Sequence, residues 1–366
     1  MRARLHALDT LRAFLMLLGV VYHSVQFSLI GHGLSGRAPL LEGFVFFVHS
    51  WRMPAFFLLS GFFTELLVER RGLGAAWNNR LGRVGLPFLL ALVTILPLNV
   101  FFISAYYDLS QHGTDAVFNG GFLSEALWHR WRKPKIHHLW FLYYLLGFLG
   151  VYFAGRSLPI LRSGAAYLKY ILFAVMLVTL ALMPNPLNVD APDGIFIRWP
   201  EFFFYFAFFT LGSLTYAEYL RDGTLRLPAL RASGAVAAAG FASLAWLWIT
   251  GEHAAPLNEG TRFLFALPKL LSVVGAVYFV IELFFRHFGK ESPFVRFLTF
   301  ASFFTYLVHE PLINAWGTVL RSYTWPPVLE IFTTASLTYL VSLASYRYLV
   351  RGTWLDRLLN GPGKAP

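Results

Sequence analysis

Cysteine is absent from all 366 residues. Disulfides, thiolate nucleophiles and cysteine-ligated metals are therefore excluded. Charge is scarce as well: Asp, Glu, Lys and Arg make up 13% of the chain, about half the share of an ordinary soluble domain. Period-2 alternation is missing, which argues against a transmembrane β-barrel. No internal repeat stands out, which weighs against a repeat-built transporter. The G-x-S-x-G elbow and the H-E-x-x-H zinc motif are lacking. An H-x-x-x-x-D box is lacking too, since His112-Gly-Thr-Asp115 has the wrong spacing.

What fills the chain is apolar. Hydrophobic residues make up 57%, and mean hydropathy is +0.57. That composition predicts an all-α, polytopic helical membrane protein embedded in a lipid bilayer. Ten runs are long enough to cross: 11–30, 44–67, 84–106, 138–154, 167–183, 199–218, 233–250, 263–285, 297–320 and 328–350. No stretch outside them could build a second sizeable core, so residues 1–366 read as one domain. The first run reads as a retained span, with no visible signal-peptide cleavage site. Placing both termini in the cytoplasm puts about twice as many Lys and Arg on the inner side as on the outer.

The net charge of +11 thus reflects topology, and no nucleic-acid partner is expected. The basic run Arg130–Lys135 is the outer exception. It reads either as a solvated loop near headgroups or as a contact for an acidic or sugar-rich acceptor. Gly31-His-Gly-Leu-Ser-Gly36 fits G-x-G-x-x-G, but no βαβ unit surrounds it, so it reads as a turn. Ala235–Ala245 is rich in Ala and Gly, which suits close helix packing.

Polar residues inside the apolar runs carry the chemistry. Ten residues separate Arg12 from His23. Eleven helical steps advance three turns plus about 20°, so both side chains share a face about 16 Å apart along the axis. Arg12 then sits at the membrane edge and His23 near mid-membrane, where an ionisable group usually faces a polar cavity. A neutral imidazole there could act as a general base; the alternative is an interface anchor and a hydrogen-bonded core histidine.

Tyr306-Leu-Val-His309-Glu310-Pro311 forms a second cluster. His309 lies about 18 Å into its run, close to His23 in depth, and shares a face with Tyr306. Pro311 deprives the carbonyl near residue 307 of its usual partner, suggesting a broken helix beside a cavity. His49 and Arg52 share a face in the outer third of the second run, with Arg52 either snorkelling outward or facing the cavity. Ser60-Gly61 allows close helix approach. Arg80 and Arg83 share a face at the inner edge, where guanidinium forks suit phosphate oxygens. His137 and His138 point about 100° apart and lack a carboxylate set, so no metal is expected. Trp140 suits an interfacial belt or stacking on a sugar ring.

Taken together, these stretches resemble the acyltransferase-3 family of integral membrane acyltransferases. The resemblance rests on Leu8-Asp-Thr-Leu-Arg12 running to His23, on Phe56–Phe63 and on Arg80-Leu-Gly-Arg83. Arg12–Gly19, His49–Met53, Arg83–Pro87, His138–Leu142 and Tyr306–Pro311 resemble a subgroup that succinylates osmoregulated periplasmic glucans. The resemblance implies an enzyme of the bacterial inner membrane. It would take acyl-CoA, as succinyl-CoA or acetyl-CoA, from the cytoplasm as co-substrate, with no permanently bound cofactor, and modify a carbohydrate outside.

It further implies that Arg12, Arg80 and Arg83 hold the CoA phosphates and that His23 acts at the acyl centre. Asp9, Tyr306 and His309 join that centre as expected site members. His49, Arg52, His138, Trp140 and Glu310 are expected to line the carbohydrate side. Glu310 is acidic where a neutral or basic residue is expected, which opposes a donor bearing a free carboxylate. O-acetylation of lipopolysaccharide or another envelope polysaccharide is the nearest alternative. A proton-coupled transporter is the alternative of another class.

Overall fold

The computed structural model describes residues 6–34, 36–112, 135–156, 165–185, 187–222, 227–250, 259–290, 292–320 and 325–361. Residues 130–134 of the outer basic run, and Gly113–Asp115 of the His112-Gly-Thr-Asp115 stretch, lie outside them. Among the described residues there is no strand, only an isolated bridge between Lys135 and Gly194.

Helices follow the apolar runs throughout. They are α1 (His6–Gly31), α2 (Pro39–Arg71), α3 (Leu73–Arg80), α4 (Leu86–Val93) and α5 (Ile95–His112). Next come α6 (Trp140–Arg156), α7 (Ala165–Leu182), α8 (Trp199–Asp222) and α9 (Leu230–Ile249). Then follow α10 (Glu259–His287), α11 (Pro293–Leu320), α12 (Pro327–Ser345) and α13 (Trp354–Asn360). Two π-turns, Leu81–Gly85 and Tyr346–Val350, join α3 to α4 and extend α12.

The chain is a polytopic helical membrane protein. By length and composition, six described helices can cross a bilayer, or seven if the bent pair around Thr94 is one span. That pair bends by 41°. Pro97 cannot donate to the carbonyl of Val93, so the helix restarts there. The expected ten crossings are not all met by this measure. α11, for one, intersperses its apolar residues with Thr299, Ser302, Thr305, His309, Glu310 and Asn314.

In lipid, apolar surface gains little by leaving its surroundings, so close packing and internal hydrogen bonds set the helix pairs. The largest interface of α2 is with α8. A Cβ on Gly61 would strike the Phe209 carbonyl, and one on Gly212 would strike the Leu58 carbonyl. The two backbones therefore touch through reciprocal glycines. Phe57 stands beside this contact, within 5.1 Å between centroids of Phe141, Phe148 and Tyr205. Buried Glu65 ties three helices, accepting from Ser213 at 2.7 Å and from Tyr152 and Arg156. The Ala/Gly-rich stretch of α9 packs closely on α10, where a Cβ on Gly240 would meet the backbone of Pro268 and Ser272.

For the site, the pairing of α1 with α11 matters most. It is the largest interface α1 makes. It sets the polar positions of α1 against those of α11, with α2 and the start of α6 closing the sides.

Candidate active site

A cavity of about 450 Å³ opens between α1, α2, α6 and α11. His23, Arg52, His138, Trp140, Glu310 and Asn314 are among its lining residues. Lys135 and Asp193 also line it and pair at 2.7 Å.

His23 and His309 meet here. Their ring centroids are 5.1 Å apart. The Nδ1 of His309 lies 2.6 Å from the Tyr306 carbonyl oxygen. A carbonyl only accepts, so Nδ1 carries the hydrogen and, in the neutral ring, Nε2 keeps a lone pair. That Nε2 is buried and has no partner among the described residues. It faces a notch in α1: a Cβ on Gly19 would come within 3.8 Å of it. His23 lies one helical turn farther along the same face, edge-on to Tyr22 at 4.9 Å.

Pro311 does not break α11, which is helical from Pro293 to Leu320. The carbonyl deprived of a donor belongs to Leu307, and the Nε2 of His138 lies 3.0 Å from it. The hydrogen of His138 is thereby fixed on Nε2. Its Nδ1 lies 2.5 Å from Glu310 Oε2, within hydrogen-bond distance of the carboxylate. The backbone N–H of His138 donates to the same oxygen at 3.0 Å, and His137 Nδ1 lies 3.5 Å from Oε1. The Tyr306 hydroxyl donates to the His138 carbonyl at 2.7 Å. Of the residues expected to face substrate, His138, Glu310 and Tyr306 thus bind one another across the α6–α11 junction. They hold the helix that presents His309.

The other expected carbohydrate-side residues form a second group. Tyr22 and His49 Nδ1 are 3.1 Å apart through the tyrosine oxygen. The guanidinium carbon of Arg52 lies 5.0 Å from the centre of the Tyr22 ring. Arg52 does not reach outward: its guanidinium fills the notch at Gly19, where any Cβ would strike it. Trp140 packs against Phe57 and Tyr205, at 6.0 and 5.3 Å, and lines the cavity.

At the end of the bundle where α1 begins, a cationic cluster forms. Arg80 interacts electrostatically with Arg83 and Arg12. Its Nε is buried without a partner. Arg83 lies in the π-turn after α3 and donates to the Leu359 carbonyl at 3.4 Å. Arg12 lies 5.6 Å from the Phe63 ring centre and 3.8 Å from Asp9. Arginines from two separate stretches of the chain, α1 and the junction of α3 with its π-turn, therefore converge at this end, separated from the imidazoles by about 16 Å along α1.

Sequence reading missed Gly19, Tyr22 and Asn314. Gly19 falls on the Arg12–His23 face, four residues before His23, and that spacing could have flagged it. The pairing of Tyr22 with His49 and of Asn314 with Asn99, at 2.7 Å, crosses between helices and leaves no local signal.

The sequence profile described as an acyltransferase domain matches residues 5–347. The chain is similar to the glucans biosynthesis protein C of Salmonella typhi, 27% identical over 384 aligned residues. The match covers 98% of this chain and 95% of that protein. It is also similar to the protein of that name from Salmonella schwarzengrund (strain CVM19633), 26% identical over the same extents. No solved structure matches the chain.

Proposed function

The chain belongs to the acyltransferase family, and from that premise we propose that it moves succinyl groups from cytoplasmic succinyl-CoA to hydroxyls of periplasmic osmoregulated glucans, acting within the bacterial inner membrane. The observation that carries this reading is the His23–His309 pair at 5.1 Å, in which His23 lines the cavity and the Nε2 lone pair of His309 is left free behind it. Relatives named for glucan biosynthesis support the acceptor class. The arginine cluster at the far end supports an anionic donor.

The donor's phosphates rest on Arg12, Arg80 and Arg83, with Asp9 steadying Arg12. The pantetheine arm runs along α1 and brings the thioester to the imidazole pair. The glucan hydroxyl enters through the cavity. His23 takes the hydroxyl proton as the oxygen attacks the thioester carbonyl. His309, held as the Nδ1–H tautomer by the Tyr306 carbonyl, orients His23 or receives that proton in turn. The tetrahedral adduct collapses, the C–S bond breaks, and the imidazolium returns the proton to the leaving thiolate. The products are a glucan succinyl ester and free CoA. Tyr306, His138 and Glu310 act by position, and His49 holds Tyr22 at the cavity wall.

The test is succinyl content of periplasmic glucan in a strain whose only copy carries His23→Ala. Loss of succinyl, with normal amounts of the protein in the membrane, is expected. Normal succinylation would remove His23 from the mechanism.

A further inference from the structure

Four side chains with permanent charges line the cavity: Arg52, Lys135, Asp193 and Glu310. Three have polar partners. Lys135 and Asp193 pair at 2.7 Å, and Glu310 lies 2.5 Å from His138 and 3.5 Å from His137. Arg52 makes no ion pair and no hydrogen bond to any described residue, and its Nε is buried. Its neighbours are the face of Tyr22, the bare backbone at Gly19, the Nε2 of His309 and the neutral phenols of Tyr205, Tyr306 and Tyr339, none of them an anion. An unpaired guanidinium inside a membrane protein is costly, and a cation–π contact offsets only part of the cost. The cavity is therefore short of one anion.

The position of the guanidinium says which reactant brings it. Gly19 precedes His23 by four residues, so Arg52 sits about 6 Å nearer the arginine cluster than His23 does. It lies on the donor's side of the imidazole pair, beside the free Nε2 of His309. With the pantetheine arm arriving along α1, an acyl group whose thioester carbon reaches His23 turns back beside the arm to bring its far end to Arg52, about one helical turn away. A guanidinium fork matches a carboxylate through two parallel hydrogen bonds.

We propose that Arg52 determines donor specificity by pairing with the distal carboxylate of a dicarboxylic acyl thioester, selecting a succinyl-type group over a neutral group of the same length. This rests on the donor assignment made above. Glu310 is turned to the start of α6, where the His138 backbone N–H and the rings of His137 and His138 engage its oxygens.

The experiment reconstitutes the full chain in proteoliposomes and supplies unmodified periplasmic glucan with either succinyl-CoA or butyryl-CoA. Released CoA is followed with a thiol reagent, which finds no thiol in the protein. For the wild type, kcat/KM is expected to favour succinyl-CoA. In Arg52→Met that preference is expected to fall by about a hundredfold, the scale for removing one partner of a buried charge pair. Arg52→Lys keeps the charge without the fork and is expected to retain part of the preference. Gly19→Ala pushes the guanidinium aside from another helix and is expected to lower the preference in the same direction.

If Arg52→Met keeps the wild-type preference, or loses both donors equally, the specificity assignment is overturned while the succinyl donor stands. A wild type that prefers butyryl-CoA overturns the donor assignment itself, and this inference with it.

Discussion

His138 donates through Nε2 to the Leu307 carbonyl, 3.0 Å away, and so stands in for the amide hydrogen that Pro311 lacks. A histidine at the start of one helix completes the hydrogen bonding of another. The same ring also holds Glu310, and its backbone carbonyl takes the Tyr306 hydroxyl. Three links therefore fix the turn of α11 that carries His309.

This arrangement predicts a specific rescue. His138→Ala leaves a buried carbonyl without a donor, a cost of about 1–3 kcal/mol. Pro311→Ala restores an amide hydrogen four residues after Leu307. The double variant should recover part of the loss in both thermal stability and CoA release, with a coupling energy of about 1 kcal/mol. Recovery stays partial because Glu310 still lacks its ring partner. Simple additivity of the two substitutions in a double-mutant cycle would dissociate His138 from the proline gap.

The imidazole pair predicts non-additive kinetics. Removing a general base costs about 10²–10⁴ in rate. His23→Ala and His309→Ala are each expected to lower kcat within that range. The double variant should be little worse than the poorer single one, because the two rings act as a unit. Single-turnover CoA release in proteoliposomes measures this. Full multiplication of the two defects would mean independent roles.

The locations of the helices and the depth match between His23 and His309 could be read from the sequence. Apolar runs and the fixed rise per residue determine both. The company each side chain keeps could not. Arg52 could have reached outward or faced the cavity, and the missing side chain at Gly19 on another helix leaves it room to face inward. His138 lines the cavity as expected of a carbohydrate-side residue, but its bonds to Leu307 and Glu310 could not be foreseen, because those partners lie some 170 positions away (169 and 172). The proline gap was visible, but what fills it depends on how α6 meets α11. Hydrogen bonds between helices leave no periodic trace along a chain.

The cationic cluster predicts a binding defect rather than a chemical one. Each charge-assisted hydrogen bond to a phosphate is worth about 1.5–3 kcal/mol. Arg80→Ala or Arg83→Ala should therefore raise KM for acyl-CoA about tenfold or more, with kcat much less affected. Lysine at position 83 should restore only part of the affinity, since it lacks the planar fork. Initial rates across a range of acyl-CoA concentrations separate the two parameters. A fall in kcat alone would move these arginines away from the phosphates.

The reciprocal glycines of α2 and α8 make the last prediction, one about assembly. A methyl on Gly61 has no space, because the Phe209 carbonyl lies where it would go, and the same holds for Gly212 against Leu58. In both cases the obstacle is backbone and cannot rotate away, unlike the Arg52 side chain at Gly19. Overpacking of this kind costs about 1–3 kcal/mol, more where the helices must separate. Gly61→Ala and Gly212→Ala should each lower the melting temperature in detergent. Since each methyl forces the same two backbones apart, the second should add less than the first. The aromatic cluster around Phe57 lies beside that contact, so near-ultraviolet circular dichroism should weaken in step with stability. Melting at the wild-type temperature in both variants would show that α2 and α8 do not touch as closely as described.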